Sequence, residues 1–114
     1  MTKFSDDFTI TIGQHEVLVK LVDDVVKYSE YNPDQHLFGL FISDKLTIYI
    51  QKNLHTSLFK DTLLHETLHA IWFFSGATAI EAEHYTEEII VSILTPWLML
   101  FIRDNPEVLE LYID

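Results

Sequence analysis

The stretch from Leu64 to Ala70 reads LHETLHA and sets the pattern His-Glu-x-x-His in an apolar context that favours a helix. Residues four positions apart lie on one face of an α-helix, so His65 and His69 can reach the same metal ion. Two imidazoles supply half of the ligands of a tetrahedral zinc site. Glu66 follows the first histidine, where its carboxylate can contact a water held by the metal. The pattern therefore predicts a zinc-binding helix with Glu66 as catalytic base.

A catalytic zinc ion needs a third protein ligand, with one position left to water. In metzincins this ligand is a histidine six residues after the second one, but here that position is Ser75, which excludes the class. Gluzincins instead take a glutamate from the next helix. Glu87 and Glu88 follow His69 by 18 and 19 residues, beyond a turn at Ser75 and Gly76.

Adjacent helical residues point about 100° apart, so only one of these two glutamates can face the metal. We predict Glu88, because it shares a helix face with mostly small residues that would let two helices approach closely: Val91, Ser92 and Thr95. Glu87 and His84 remain alternatives. The other histidines, at positions 15, 36 and 55, stand alone in turn or strand contexts and are expected to be ordinary surface residues.

The N-terminal half of the chain carries strand signals. Apolar and polar residues alternate over residues 8–12, and a β-branched run over residues 17–22 follows Gly13, which predicts a hairpin. A helix over residues 15–31 is the alternative. Residues 39–51 predict a second hairpin around Ser43-Asp44-Lys45. We expect its second strand, Leu46 to Gln51, to bind a peptide by strand addition, because it leads into the metal-binding helix.

Three helices are expected after these strands. The first runs from about Leu58 to Phe74, with Thr56 or Ser57 as its N-cap. Its predicted buried stripe consists of Leu64, Leu68, Ile71 and Trp72. The second begins near residues 78–82 and extends towards Arg103. The third is short, opens at Pro106 with Asn105 as its cap, and turns Val108, Leu109 and Leu111 inward.

Length and composition complete the expected architecture. The 114 residues include 48% hydrophobic residues and no cysteine, which predicts one domain over residues 1–114 without disulfides or thiolate ligands. The expected fold is α+β: a small antiparallel sheet packed on two helices, with a short C-terminal helix. A net charge of −11 argues against nucleic-acid binding. The polar start and the lack of a long apolar run predict a cytoplasmic protein without membrane contact.

Residues 36–112 carry a resemblance, through GLF at position 39, LTIYI at position 46, DTLLHETLHAI at position 61, EEIIV at position 87 and RDNP at position 103. This part of the chain resembles the small zincin-like metallopeptidases encoded in bacteriophage genomes, a minimal gluzincin core distantly similar to the ImmA/IrrE metallopeptidases. The resemblance implies a zincin fold, His65 and His69 as zinc ligands, Glu66 as base and a glutamate near position 88 as third ligand. It implies no particular substrate.

The expected activity is zinc-dependent hydrolysis of peptide bonds in a protein or peptide substrate, with Glu66 as general base towards a metal-activated water. Tyr49 or Tyr85 is the candidate hydrogen-bond donor to the oxyanion. The alternative is a zinc-stabilised protein-binding module with little turnover, because a domain this small has little surface for a deep cleft. The sequence leaves the oligomeric state open.

Overall fold

The computed structural model describes residues 6–29 and 37–113. These residues form an α+β fold with four strands and three α-helices, which confirms the predicted fold class. The strands are β1 Phe8–Ile12, β2 His15–Val22, β3 Gly39–Ile42 and β4 Thr47–Gln51; the helices are α1 Thr56–Phe74, α2 Glu87–Asp104 and α3 Pro106–Ile113.

The sheet is mixed rather than antiparallel. In the described part of the chain its strand order is β1-β2-β4-β3, and β2 pairs with β4 in parallel. The prediction of an antiparallel sheet was therefore wrong. The reason lies in the strand order: β3 runs back along the sheet, and β4 then inserts between β2 and β3, so that it runs in the same direction as β2. The hairpin strand β3 then pairs on the outer side of β4.

Both predicted hairpins are present. β1 and β2 are antiparallel around Gly13, whose φ is +62°, so the alternative of a helix over residues 15–31 was wrong. The ring of Trp97 fills the space beside this glycine: a Cβ there would lie 2.6 Å from Trp97 Cζ3. β3 and β4 are antiparallel around the 3₁₀ turn Ser43–Lys45.

Strand β4 lies inside the sheet, between β2 and β3. Ile48 and Ile50 belong to the main hydrophobic core, whereas Tyr49 belongs to a smaller cluster with Val22 and Val25. This alternation between the two faces follows from the period of two along a β-strand. The hypothesis of strand addition along Leu46 to Gln51 was wrong, because both sides of β4 already pair with neighbouring strands. Among residues 6–29 and 37–113, the strand at the sheet edge beside α1 is β3.

Helix α1 begins two residues earlier than predicted. Its N-cap is His55, whose Nδ1 accepts a hydrogen bond from the Ser57 N–H at 3.2 Å, so the expectation of Thr56 or Ser57 as cap was wrong. The helix ends as predicted at Ser75 and Gly76. Gly76 has a φ of +81°, in the left-handed region that glycine adopts readily.

The buried face of α1 differs from the predicted stripe. Leu64 is 41% exposed and Leu68 36% exposed, while Leu63 and Ala70 are buried against the sheet. Ile71 is buried as predicted, and Trp72 is half-buried. Leucines occur on opposite sides of this helix, so hydrophobic periodicity alone could not select the side that packs on the sheet. The observed orientation turns Glu66 inward.

Helix α2 begins later than predicted. Residues 77–85 contain two 3₁₀ turns, Ala77–Ala79 and Ala82–His84, and α2 starts at Glu87 after the cap Thr86. Thr86 Oγ1 accepts a hydrogen bond from the Ile89 N–H at 3.2 Å, which favours this start. Glu87 and Glu88 consequently occupy the first turn of α2, not its interior. Among the described residues, no helix is long and apolar enough to cross a membrane.

Asn105, between α2 and α3, fixes the C-terminal helices to the sheet. Its Oδ1 accepts from the Thr11 N–H at 2.8 Å, and its Nδ2 donates to the Thr11 carbonyl at 2.7 Å and the Phe101 carbonyl at 2.9 Å. Beyond it, α3 opens at Pro106 and buries Val108 and Leu111, as predicted. Asn105 occupies the predicted N-cap position of α3, since its carbonyl accepts a hydrogen bond from the Leu109 N–H at 3.1 Å, but its side chain bonds to Thr11 and Phe101 instead of capping the helix.

Candidate metal centre

His65 and His69 lie together on α1, one turn apart. Their Nε2 atoms are 3.2 Å from each other, and the ring planes meet at 72° with centroids 4.8 Å apart. Both side chains are exposed. The same separation allows one neutral imidazole to donate a hydrogen bond to the other. The helix thus presents two converging nitrogen atoms to solvent.

This pair fits a zinc ion. Two nitrogen ligands of a tetrahedral site, each about 2.0–2.1 Å from the metal, are separated by about 3.3–3.4 Å. The 3.2 Å between the two Nε2 atoms is close to that value, so little side-chain movement would be needed. Neutral imidazole is a good zinc ligand, and the i,i+4 spacing of the two residues is what brings the rings together.

Glu66 lies beside the pair but points towards the sheet. It is 7% exposed, and its Oε2 is 3.9 Å from His65 Nε2. Burial raises the pKa of Glu66 from its ordinary value, while the two histidines and a backbone hydrogen bond from Phe41 in β3 act in the opposite direction. Ligand atoms of His65, Glu66 and His69 all lie within 4.8 Å of one another. The three residues form one compact group.

The approach of β3 to α1 depends on Gly39. A Cβ at this position would lie 2.5 Å from Thr62 Cγ2 and 3.0 Å from Glu66 Cγ. Next to this contact is a cavity of about 190 Å³, lined on the strand side by Leu37, Phe38 and Gly39 and on the helix side by Leu58, Asp61, Thr62, His65 and Glu66. The two histidines and Glu66 therefore adjoin a recess that follows the edge of the sheet.

Glu88, the predicted third ligand, is not part of this compact group. It is exposed in the first turn of α2, and Ser92 Oγ donates to its Oε1 over a long 3.5 Å. Glu88 lies in the first turn because α2 begins only at Glu87. Glu87 also lies in that first turn, with an exposed side chain. The assignment of Glu88 as the third ligand stays a prediction.

His84, the other candidate ligand, belongs to a separate exposed group. Its ring lies 3.7 Å from the carboxylates of Glu81 and Glu83, all in or beside the second 3₁₀ turn. Of the remaining histidines, His55 caps α1 and His15 stacks on Phe74 with centroids 4.2 Å apart. His36 lies outside the described residues.

Both tyrosines proposed as oxyanion donors make other contacts in the structure. The hydroxyl of Tyr85 donates to the Ala77 carbonyl, and its ring lies against Trp72. Tyr49 is buried in the smaller cluster and stacks on Tyr28 with centroids 4.2 Å apart. Their proposed role would require a rearrangement of these contacts.

Sequence reasoning missed two residues of this region. Asp61 was assigned no role at the metal centre, yet it lines the cavity one turn before His65. The i,i+4 spacing was the signal that could have identified it. Gly39 was interpreted as the start of a strand, and only its close contact with α1 reveals its second role. No protein-family model, no curated protein and no solved structure matches this chain.

Proposed function

We propose that this chain is a zinc-dependent metallopeptidase, a hydrolase that cleaves peptide bonds, with His65 and His69 as metal ligands and Glu66 as general base. The observation that supports it most directly is the 3.2 Å between the two Nε2 atoms, with a buried carboxylate 3.9 Å from one of them. Glu88 is proposed as the third ligand. The resemblance to phage-encoded zincins favours a cytoplasmic enzyme in a bacterial host.

A bound zinc ion would supply Lewis-acid polarisation of the peptide carbonyl and would lower the pKa of water to around 7. Glu66 would accept a proton from the attacking water and deliver it to the departing nitrogen. Burial raises the pKa of Glu66, which suits this role because a general base works best when its pKa is near the working pH. The Phe41 backbone bond holds the carboxylate in place.

The substrate would lie along β3 as an extended peptide. Strand β3 forms an edge of the sheet in the described part of the chain and contacts α1 next to Glu66. Main-chain hydrogen bonds along such an edge bind a peptide largely independently of its sequence. This arrangement would present a peptide carbonyl to the metal ligands without a deep cleft.

The test is hydrolysis of unfolded polypeptides of known sequence by zinc-loaded protein, followed by mass spectrometry. We expect the wild type to cut and Glu66→Gln to be slower by about 10²–10⁴-fold, because proton transfer by a positioned side chain contributes that factor. Glu83→Gln, which changes an exposed carboxylate in the 3₁₀ turn, is the matched control and should retain activity. Full activity of zinc-loaded Glu66→Gln would reject the mechanism.

A second candidate function is a zinc-stabilised protein-binding module with negligible turnover. The exposure of Leu64 and Leu68 on α1 favours it, since large apolar side chains at the surface are typical of interaction sites. An enzyme keeps one metal position open, whereas a structural zinc site is closed. Binding of a small hydroxamate to the zinc-loaded protein therefore supports the enzyme, and absence of such binding supports the module.

A further inference from the structure

The cavity beside Glu66 has the size of a pocket for one side chain. Its volume of about 190 Å³ lies below the roughly 300–1,000 Å³ of pockets that enclose small molecules. It lies between the start of β3 and the first half of α1, so an extended peptide along β3 would pass its entrance. A residue close to the bond presented to Glu66 would then project into the cavity.

The walls of this cavity combine apolar surface with a carboxylate. Leu37, Phe38 and Leu58 offer apolar contact, and Asp61 contributes a negative charge on the helix side. Among the described residues, no lysine or arginine lines the cavity. Asp61 itself has no hydrogen bond or ion pair within the described part of the chain. Its negative charge interacts electrostatically with the Tyr112 hydroxyl and helps to raise the pKa of that group. Its carboxylate is thus available to an incoming cation.

We propose that this cavity is a specificity pocket for a basic side chain of the substrate, lysine above all, and that Asp61 is the residue that selects it. The inference rests on the proposed peptidase function and names its substrate class. A lysine side chain buries its methylene groups against apolar surface while its ammonium group stays near the surface. Leu37, Phe38 and Leu58 match the methylene groups, and Asp61 matches the ammonium group.

Overall charge adds to this local complementarity. The net charge of −11 attracts basic segments from a distance, so a preference for lysine could arise without any pocket. A valid test must separate these two effects. Asp44, in the turn between β3 and β4, allows this because Asp44→Asn makes the same change in net charge as Asp61→Asn at the other end of the strand.

The first part of the test uses the cut positions that the zinc-loaded protein makes in unfolded polypeptides. We expect lysine to be enriched at one position next to the cut by about fivefold, the factor that corresponds to about 1 kcal/mol for an exposed charge pair. Asp61→Asn should abolish the enrichment, Asp61→Lys should shift it towards Asp and Glu, and Asp44→Asn should leave it intact. The proposal is overturned if the protein cuts without lysine enrichment, or if Asp44→Asn loses the enrichment to the same extent as Asp61→Asn.

The second part measures binding alone, so that it does not depend on turnover. Fluorescence anisotropy compares peptides carrying lysine or uncharged norleucine at one central position, with zinc-loaded Glu66→Gln protein. Tighter binding of the lysine peptide that is lost when Asp61→Asn is added, but kept when Asp44→Asn is added, supports the pocket, even if no peptide is ever cleaved. Equal binding of the two peptides overturns it. Absence of cleavage with zinc bound counts against the proposed function only.

Discussion

Gly39 in β3 touches Glu66 in α1 so closely that a Cβ on the glycine would lie 3.0 Å from Glu66 Cγ. This contact sets how near the edge strand lies to the metal-binding helix. It also keeps the Phe41 backbone within hydrogen-bonding reach of the Glu66 carboxylate. The position of the proposed base is therefore fixed by a residue that has no side chain of its own.

Gly39→Ala should destabilise the protein by about 1–3 kcal/mol, the usual cost of forcing an extra methyl group into a packed interior. Thr62 Cγ2 would be 2.5 Å from the new Cβ, so strand and helix must separate. Urea unfolding monitored by circular dichroism measures the change. Gly76→Asn is the control, because nothing lies within 4 Å of an added Cβ there and asparagine tolerates the positive φ. Wild-type stability of Gly39→Ala would contradict this packing.

Thr67→Val should leave stability unchanged or raise it by up to about 1–3 kcal/mol. The Thr67 hydroxyl is buried without a hydrogen-bond partner among the described residues, and valine removes that desolvated group while keeping the shape. Thr47→Val is the matched control: Thr47 Oγ1 donates to the Lys45 carbonyl at 2.9 Å, so its loss should cost about 1 kcal/mol. Thermal unfolding of both variants measures the contrast. A clear loss in Thr67→Val would mean that the hydroxyl has a partner.

Much of the fold could be predicted from local patterns. The hairpin around Gly13, the hairpin before α1 and the end of α1 at Gly76 follow from turn residues and periodicity that act over a few positions. The parallel pairing of β2 with β4 could not be predicted this way, because it depends on how distant segments meet. The start of α2 was missed for a related reason: residues 77–85 carry helix formers but form tight turns instead.

In the candidate site, too, local spacing predicts some features, whereas others depend on how distant segments pack. His65, Glu66 and His69 are grouped by helical spacing alone, so the motif predicts their proximity. The inward orientation of Glu66 depends on which side of α1 meets the sheet, and the apolar pattern favoured the opposite side. The relation of Glu88 to the pair depends on the path between two helices, which no local rule determines.

Above pH 10, folding should weaken through Tyr112. Its hydroxyl donates to the Lys60 carbonyl at 2.8 Å, and burial, followed by the charge of Asp61, raises the pKa of Tyr112 to about 12. An unfolded tyrosine has a pKa near 10, so this contribution is complete below about pH 10 and is lost as pH rises through about 12. The free energy of unfolding should decrease between pH 8 and pH 11 in both proteins, and the decrease should be smaller in Tyr112→Phe than in the wild type. An identical decrease in both proteins would refute the assignment.

Glu66→Gln should stabilise the metal-free protein at pH 7. Burial raises the pKa of Glu66 above that of the unfolded chain, so folding weakens as pH rises above the unfolded-state pKa, and the loss is complete above the folded-state pKa. Glutamine removes the charge with nearly the same shape, and the melting temperature should increase. Glu81→Gln, at an exposed carboxylate, is the control and should change little. A lower melting temperature for Glu66→Gln would show that the carboxylate is stabilised, not strained, in its place.

The central claim is that His65 and His69 hold a zinc ion. The most direct measurement is the zinc content of the full chain after loading and removal of excess zinc at neutral pH. We expect about one ion per wild-type chain and nearly none in His65→Ala or His69→Ala. His55→Asn, which retains an N-cap residue, should bind as the wild type does; Glu88→Gln should bind more weakly than Glu87→Gln. A wild-type chain that retains no zinc, or histidine variants that retain as much as the wild type, would contradict the claim.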